Sequence, residues 1–281
     1  MQLRAELPDL DTPDLKQAGG RGLRVAARLG YFTHGVVYGL VGTLALLSAL
    51  GQRGGRVTNS QGAVQRIGDS DWGEPMLWAV AIGLACYALW NCVRAVFDPE
   101  HCGREGKGIL KRLGYGVSAT SHAFLSVYAF QSALGRAAAG GGSERSVAEV
   151  LGLPGGRILI GIAALAVIGF GLYQLYRGIA GEVGKEFSGS DLPATRRRLV
   201  MNVARLGFVA RGVVFPIIGG SLAVVALGAN PGETHNLGEA LHEIAVQPFG
   251  SVLLGIVAAG LIAYGIHMLC VARYAKIPHP A

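Results

Sequence analysis

The sequence predicts an all-α membrane protein with six transmembrane helices, arranged as three parallel two-helix repeats with pseudo-threefold symmetry. Three observations carry that expectation. Of 281 residues, 51% are hydrophobic and only 15% charged, whereas a soluble domain carries about 25% charge. Six stretches reach the roughly 20 apolar residues that a hydrocarbon core about 30 Å thick demands, and all 18 acidic residues lie outside them. One 24-residue pattern occurs three times without a gap. The apolar content excludes a disordered chain. The 44 glycines follow no three-residue period and prolines number only 11, which excludes a collagen-like chain. Alternating strand-like segments are absent too, so a helical bundle is the expected spanning structure.

The elements follow in order. Residues 1–27 include Glu6, Pro8, Asp9, Asp11, Pro13 and Asp14, unlike a cleavable signal peptide. This segment is expected in the cytoplasm, with the first span as an uncleaved anchor. Repeat 1 occupies 28–97, with spans at 31–50 and 75–97. Repeat 2 occupies 112–177, with spans at 115–134 and 156–176. A basic cytoplasmic linker, 178–204, reads as a turn at Ser188-Gly189-Ser190-Asp191-Leu192-Pro193 and a membrane-proximal run, Arg196-Arg197-Arg198. Repeat 3 occupies 205–273, with spans at 208–227 and 249–271, and a cytoplasmic tail of 274–281 closes the chain. Each outer connection carries a short amphipathic turn: Ala63, Val64, Ile67; Val147, Val150; Ala240, Leu241, Ile244. Ser146 with Glu149, and Asn236 with Glu239, have capping-box spacing.

Charge sets the expected orientation. Connections on one side hold 18 Lys and Arg, those on the other hold six, and Arg211 lies within a span. Both termini are therefore expected in the cytoplasm. The net charge of +7 is read as attraction to anionic headgroups, and no nucleic acid partner is expected.

The triplication explains most of the glycine. The copies are RLGYFTHGVVYGLVGTLALLSALG from Arg28, RLGYGVSATSHAFLSVYAFQSALG from Arg112 and RLGFVARGVVFPIIGGSLAVVALG from Arg205. In the following helices Gly73, Gly156 and Gly250 correspond, as do Tyr87, Phe170 and Tyr264, and Arg94 matches Arg177. Gly35, Ala119 and Gly212, then Gly42, Ser126 and Gly219, put small residues where helices in lipid approach closely. Gly51, Gly135 and Gly228 are placed as left-handed C-caps. Arg28, Arg112 and Arg205 are expected to snorkel to headgroups and anchor the helices.

The triplicated Arg-Leu-Gly-aromatic unit, with Arg211-Gly212-Val213-Val214-Phe215 and Gln247-Pro248-Phe249-Gly250 in the third copy, resembles a bacterial family of six-helix membrane proteins. That family is known as domain of unknown function 1206. The resemblance runs from Arg28 to about Lys276 and implies the fold and a location in the bacterial inner membrane, with no activity attached. The second copy departs from the pattern at Ser118-Ala119, where the third has Arg211-Gly212.

Polar residues within the spans are the candidate site. Arg211 and His34 hold equivalent positions two turns into their helices, and His122 lies one turn deeper. Arg211 is open to two readings. Either it snorkels or lies against rings such as Tyr31 and Phe208, or it joins His34 to hold an anionic ligand or lipid headgroup. Cys86, Cys92, Cys102 and Cys270 form no Cys-x-x-Cys, and free, buried, inert thiols are expected. Two weak metal arrangements, Glu100-His101-Cys102 and His235/Glu239/His242, do not reach a zinc signature, and neither a metal nor a cofactor is expected. Phosphate loops, nucleophile elbows and metalloprotease motifs are missing, so no catalytic residue is assigned. Three function classes remain, in this order: a non-enzymatic protein that binds lipid or a partner or acts as a scaffold; a channel or facilitator for a small solute, anionic or not; and, a distant third, an enzyme. Membrane lipids are the expected partners, followed by another membrane protein or a second copy of the chain.

Overall fold

A computed structural model describes residues 12–52, 55, 57–103, 105–136, 142–184, 187, 193–228 and 236–277. All regular structure among them is helical. Repeat 1 supplies α1 (Thr12–Ala49), α2 (Ser60–Gly68) and α3 (Gly73–Phe97); repeat 2 supplies α4 (Gly106–Ala133), α5 (Gly142–Leu151) and α6 (Gly156–Ala180); repeat 3 supplies α7 (Ala194–Ala226), α8 (Leu237–Ala245) and α9 (Gly250–Tyr274). Five helices are long and apolar enough to cross a membrane: α1, α3, α6, α7 and α9. The third stretch differs. Ser118, Thr120, Ser121, His122 and Gln131 dilute α4, and it falls outside that set although it has 28 residues. The helices also outrun the apolar stretches. α7 begins at Ala194, so Arg196-Arg197-Arg198 is helical, while the turn expected at 188–193 lies, but for Pro193, outside the described residues.

One interface is built three times. The second long helix of each repeat packs on the first long helix of the next: α3 on α4, α6 on α7, α9 on α1. At each, the opening arginine donates to the last carbonyls of the neighbouring helix. Arg112 reaches Ala95 and Val96 at 2.8 and 2.8 Å, Arg205 reaches Gly178 and Ile179 at 3.1 and 3.0 Å, and Arg28 reaches Ala272 and Arg273 at 3.0 and 2.8 Å. These carbonyls lack partners in any helix's last turn, and a cation there also meets the negative end of the helix dipole. The guanidiniums expected at headgroups thus have a protein partner. Deeper in, the Ser126 hydroxyl donates to the Ala81 carbonyl at 2.8 Å. A methyl added at the equivalent Gly42 or Gly219 would meet the carbonyls of Ala258 at 2.9 Å and Ala164 at 3.0 Å. Small residues at these positions bring the backbones together.

A second interface joins the two long helices within a repeat, and it is built twice. In repeats 1 and 3, α1 lies on α3 and α7 on α9. A methyl at Gly30 would come within 2.6 Å of the Tyr87 backbone, and one at Gly207 within 2.6 Å of the Tyr264 backbone. Thr33 fills the space beside Gly83, and Ala210 that beside Gly260. In repeat 2 the corresponding Gly114 faces nothing within 4 Å. Among the described residues α4 and α6 are not packed on one another as the other pairs are. The six long helices therefore form an open ring, α4–α3–α1–α9–α7–α6, with a seam between its ends.

Local caps follow the sequence. Gly51, Gly135 and Gly228 take positive φ of 64°, 66° and 123°, the conformation for which glycine is suited. Asn236 and Glu239 form the expected capping box at α8. Asn59 caps α2 by accepting from Gly62 N at 2.8 Å. Ser146 falls inside α5 rather than at its start. The apolar sides of α2 and α8 bury Ala63, Val64, Ala240, Leu241 and Ile244 against the long helices. The thiols depart from expectation: Cys92 is exposed, and Cys86, Cys102 and Cys270 are half-buried.

Candidate functional site

The middle of the ring collects one polar or aromatic group from each long helix. Tyr87, Phe170 and Tyr264 hold equivalent places on the second helices, and each meets the equivalent residue of the next first helix. Tyr87 lies 4.6 Å from His122, Phe170 lies 5.3 Å from Phe215, and Tyr264 lies 5.1 Å from Tyr38, as ring centroids. His34 and Arg211 lie one turn above, from α1 and α7.

The rings around Arg211 are not those the sequence suggested. Its guanidinium carbon lies 4.2 Å from the Tyr264 centroid, 4.9 Å from Phe215, 5.3 Å from Tyr38 and 5.6 Å from Phe170. Tyr31 instead accepts from Trp90 Nε1 at 3.0 Å and from Arg94 at 3.4 Å, and Phe208 lies under Arg177 at 4.4 Å. Ring faces carry negative potential, which stabilises a cation taken from water. Among the described residues Arg211 has no ion-pair partner, and its buried Nε has no hydrogen-bond partner.

His34 and His122 are brought together. His122 Nε2 lies 2.9 Å from His34 Nδ1, and His122 Nδ1 lies 2.7 Å from the Ser118 carbonyl. A carbonyl only accepts, so His122 carries its proton on Nδ1. In the neutral pair His122 Nε2 then accepts, His34 Nδ1 donates, and His34 Nε2 is left as a bare acceptor. That atom is buried and has no partner among the described residues. His34 stacks on Tyr87 at 4.4 Å and shares the rings of Tyr38 and Tyr264 with Arg211. The cluster thus presents a cationic donor beside a neutral acceptor, walled by rings.

The seam reaches this cluster. On the second helices, Tyr87 is 7% exposed and Tyr264 4%, but Phe170 is 40% exposed. On the first helices, Thr33 and Ala210 are each 5% exposed, but Val117 is 64% exposed. Phe170 therefore borders both the guanidinium and the seam.

The charged network between repeats 1 and 2 was not legible in the sequence. Glu100, in the connection after α3, accepts from Arg94 at 2.8 Å, Lys111 at 2.9 Å and the Tyr115 hydroxyl at 2.7 Å. Beside Glu100-His101-Cys102 no metal-binding cluster occurs among the described residues. Burial pushes the Glu100 carboxyl up, but Arg94 and the hydrogen bonds from Lys111 and Tyr115 outweigh it and hold the group at about 2, against 4.5 ordinarily. A carboxyl depressed by folding stabilises the fold above its unfolded pKa, and this contribution fades as pH falls through the folded one. Glu100→Gln is therefore expected to cost about 2 kcal/mol at pH 7, scaled down for partial exposure. The gap from wild type in thermal unfolding should shrink between pH 4.5 and pH 2. A pH-independent gap would contradict this account.

The comparisons with known proteins follow the same threefold division. The family described as Domain of Unknown Function (DUF1206) matches residues 29–98, 113–181 and 206–275, one segment per repeat. An uncharacterized protein of Bacillus subtilis (strain 168), YxxB, is 32% identical over 260 residues, covering 92% of this chain and 94% of its own length. No solved structure matches. With all three copies recognised and a relative matched almost end to end, the chain belongs to the family of domain of unknown function 1206.

Proposed function

We propose that the protein is a non-enzymatic protein of the bacterial inner membrane that binds a membrane lipid in the seam between α4 and α6. In this reading α4 is the sixth span, the ring has pseudo-threefold symmetry with one joint open, and both termini are cytoplasmic. One observation carries the reading: an interface made in repeats 1 and 3 is unmade in repeat 2, where Gly114 and Val117 lie open on α4 and Phe170 is exposed on α6. In a bilayer such an apolar cleft is filled by acyl chain, since lipid tails are as apolar as the side chains lining it. The ring-filled middle supports binding over conduction of a solute.

The test uses a phospholipid with a photoactivatable acyl chain in proteoliposomes, with labelled peptides mapped by mass spectrometry. Label is expected to concentrate around Val117 and Phe170 relative to Val36 and Leu253, which are exposed elsewhere on the bundle. Uniform labelling, or crosslinked dimers joined through the seam, would overturn the reading. Anion efflux above that of empty liposomes would favour the channel.

A further inference from the structure

We infer that the seam lipid is anionic and carries a free hydroxyl on its headgroup, with the phosphate on Arg211 and the hydroxyl donating to His34 Nε2. This rests on the seam reading and adds the chemistry of the ligand.

The inference starts from two buried atoms without partners. Arg211 Nε is a charged donor and His34 Nε2 an acceptor, and neither has a hydrogen-bond partner among the described residues. Arg211 and His34 are 8% and 3% exposed. Leaving buried polar groups unmatched costs about 1–3 kcal/mol each, more for a charged group. A ligand that satisfies both must bring an anionic oxygen and an O–H. The seam adds the third requirement. Phe170 and Val117, exposed along it, offer a long apolar wall with no use for a small soluble anion.

Depth is compatible with a headgroup. Arg211 lies six residues beyond Arg205 along α7, or about 9 Å of helix rise. Arg205 marks the end of the bundle where α6 terminates. The ligand phosphate thus sits roughly two turns below that end, while its chains continue along α4 and α6. Phe170 is the ring that both touches the guanidinium and faces the seam, and its rotation admits the headgroup. The bound phosphate supplies the countercharge that the protein leaves out, and charge-assisted bonds of this kind are about twice as strong as neutral ones.

Photoactivatable phosphatidylglycerol, phosphatidylmethanol and phosphatidylcholine separate these contributions. Phosphatidylmethanol is anionic without a free hydroxyl. The wild type is expected to label in the seam about tenfold more with phosphatidylglycerol than with phosphatidylcholine, with phosphatidylmethanol between them; tenfold corresponds to about 1.4 kcal/mol. Arg211→Gln should bring phosphatidylglycerol down to the phosphatidylcholine level. Arg211→Lys, which keeps the charge, should retain most of the preference and guards against misfolding of the glutamine variant. His34→Phe keeps the ring stack but loses the acceptor, and should erase only the gap between phosphatidylglycerol and phosphatidylmethanol. Seam labelling that ignores headgroup charge, or a preference that survives Arg211→Gln, would overturn this inference and leave lipid binding standing. Competition by soluble glycerol phosphate as strong as by the lipid would also overturn it. An unlabelled seam with every lipid would remove the underlying reading itself.

Discussion

Gly30→Ala and Gly207→Ala are expected to destabilise the fold strongly, while the same change at the equivalent Gly114 is expected to stabilise it slightly. A helical glycine replaced by alanine gains about 1 kcal/mol where nothing opposes the new methyl. At Gly30 and Gly207 that methyl would lie 2.6 Å from the backbones of Tyr87 and Tyr264. Backbone cannot rotate away as a side-chain tip can, so α1 must move off α3, or α7 off α9. Overpacking of this kind costs about 3 kcal/mol, and parting the helices also disturbs the rings that Tyr87 and Tyr264 present to His34 and Arg211. At Gly114 nothing lies within 4 Å, so only the gain remains. Thermal unfolding of the three variants in one detergent decides it. A loss at Gly114 as large as at the other two would mean that α4 meets α6 in the folded protein. The seam would then be closed, and the lipid reading would lose its ground.

That contrast also marks the limit of what the sequence could say. The three copies are plain in the residues, and so are the small positions and the caps: Gly42, Ser126 and Gly219 meet the corresponding carbonyls of the following interface, and Gly51, Gly135 and Gly228 take left-handed φ. Which interface would stay open was not legible, because Gly114 is the same residue as Gly30 and Gly207. A glycine that allows close approach does not require it. Partners across the ring were equally hidden. His34 and His122 could be seen as polar residues within spans, but their 2.9 Å contact depends on α1 and α4 both facing the middle. Tyr31, a ring that Arg211 could reach by sequence, turns instead to Trp90 and Arg94. The rings about Arg211 come from α1, α6, α7 and α9, which no single segment can show. Glu100 escaped because a lone carboxylate in a connection looks solvated until Arg94, Lys111 and Tyr115 converge on it.

Alanine at Arg28, Arg112 or Arg205 is expected to cost about 2–3 kcal/mol, and to cost nearly the same at all three positions. Each arginine spans two successive carbonyls at the end of a neighbouring helix. Hydrogen bonds from a charged donor contribute about 1.5–3 kcal/mol apiece, reduced here because those ends are partly open to water. Lysine is expected to recover about half the loss, since an ammonium keeps the charge but not the planar fork that meets both carbonyls. The headgroup-anchor reading of the same residues predicts otherwise. An anchor depends on anionic lipid, works as well with lysine, and contributes nothing in a zwitterionic micelle. Unfolding of wild type, alanine and lysine variants, with and without anionic lipid, therefore separates the two. Equal losses in a zwitterionic micelle, with lysine intermediate, identify the arginines as the clasps between successive repeats. Full rescue by lysine, or losses that appear only with anionic lipid, would return them to the membrane surface. The clasp account carries a structural consequence as well: α4 is held to α3 through Arg112 and α6 to α7 through Arg205, so each side of the seam is fastened to its other neighbour by the same arginine that clasps every joint between successive repeats.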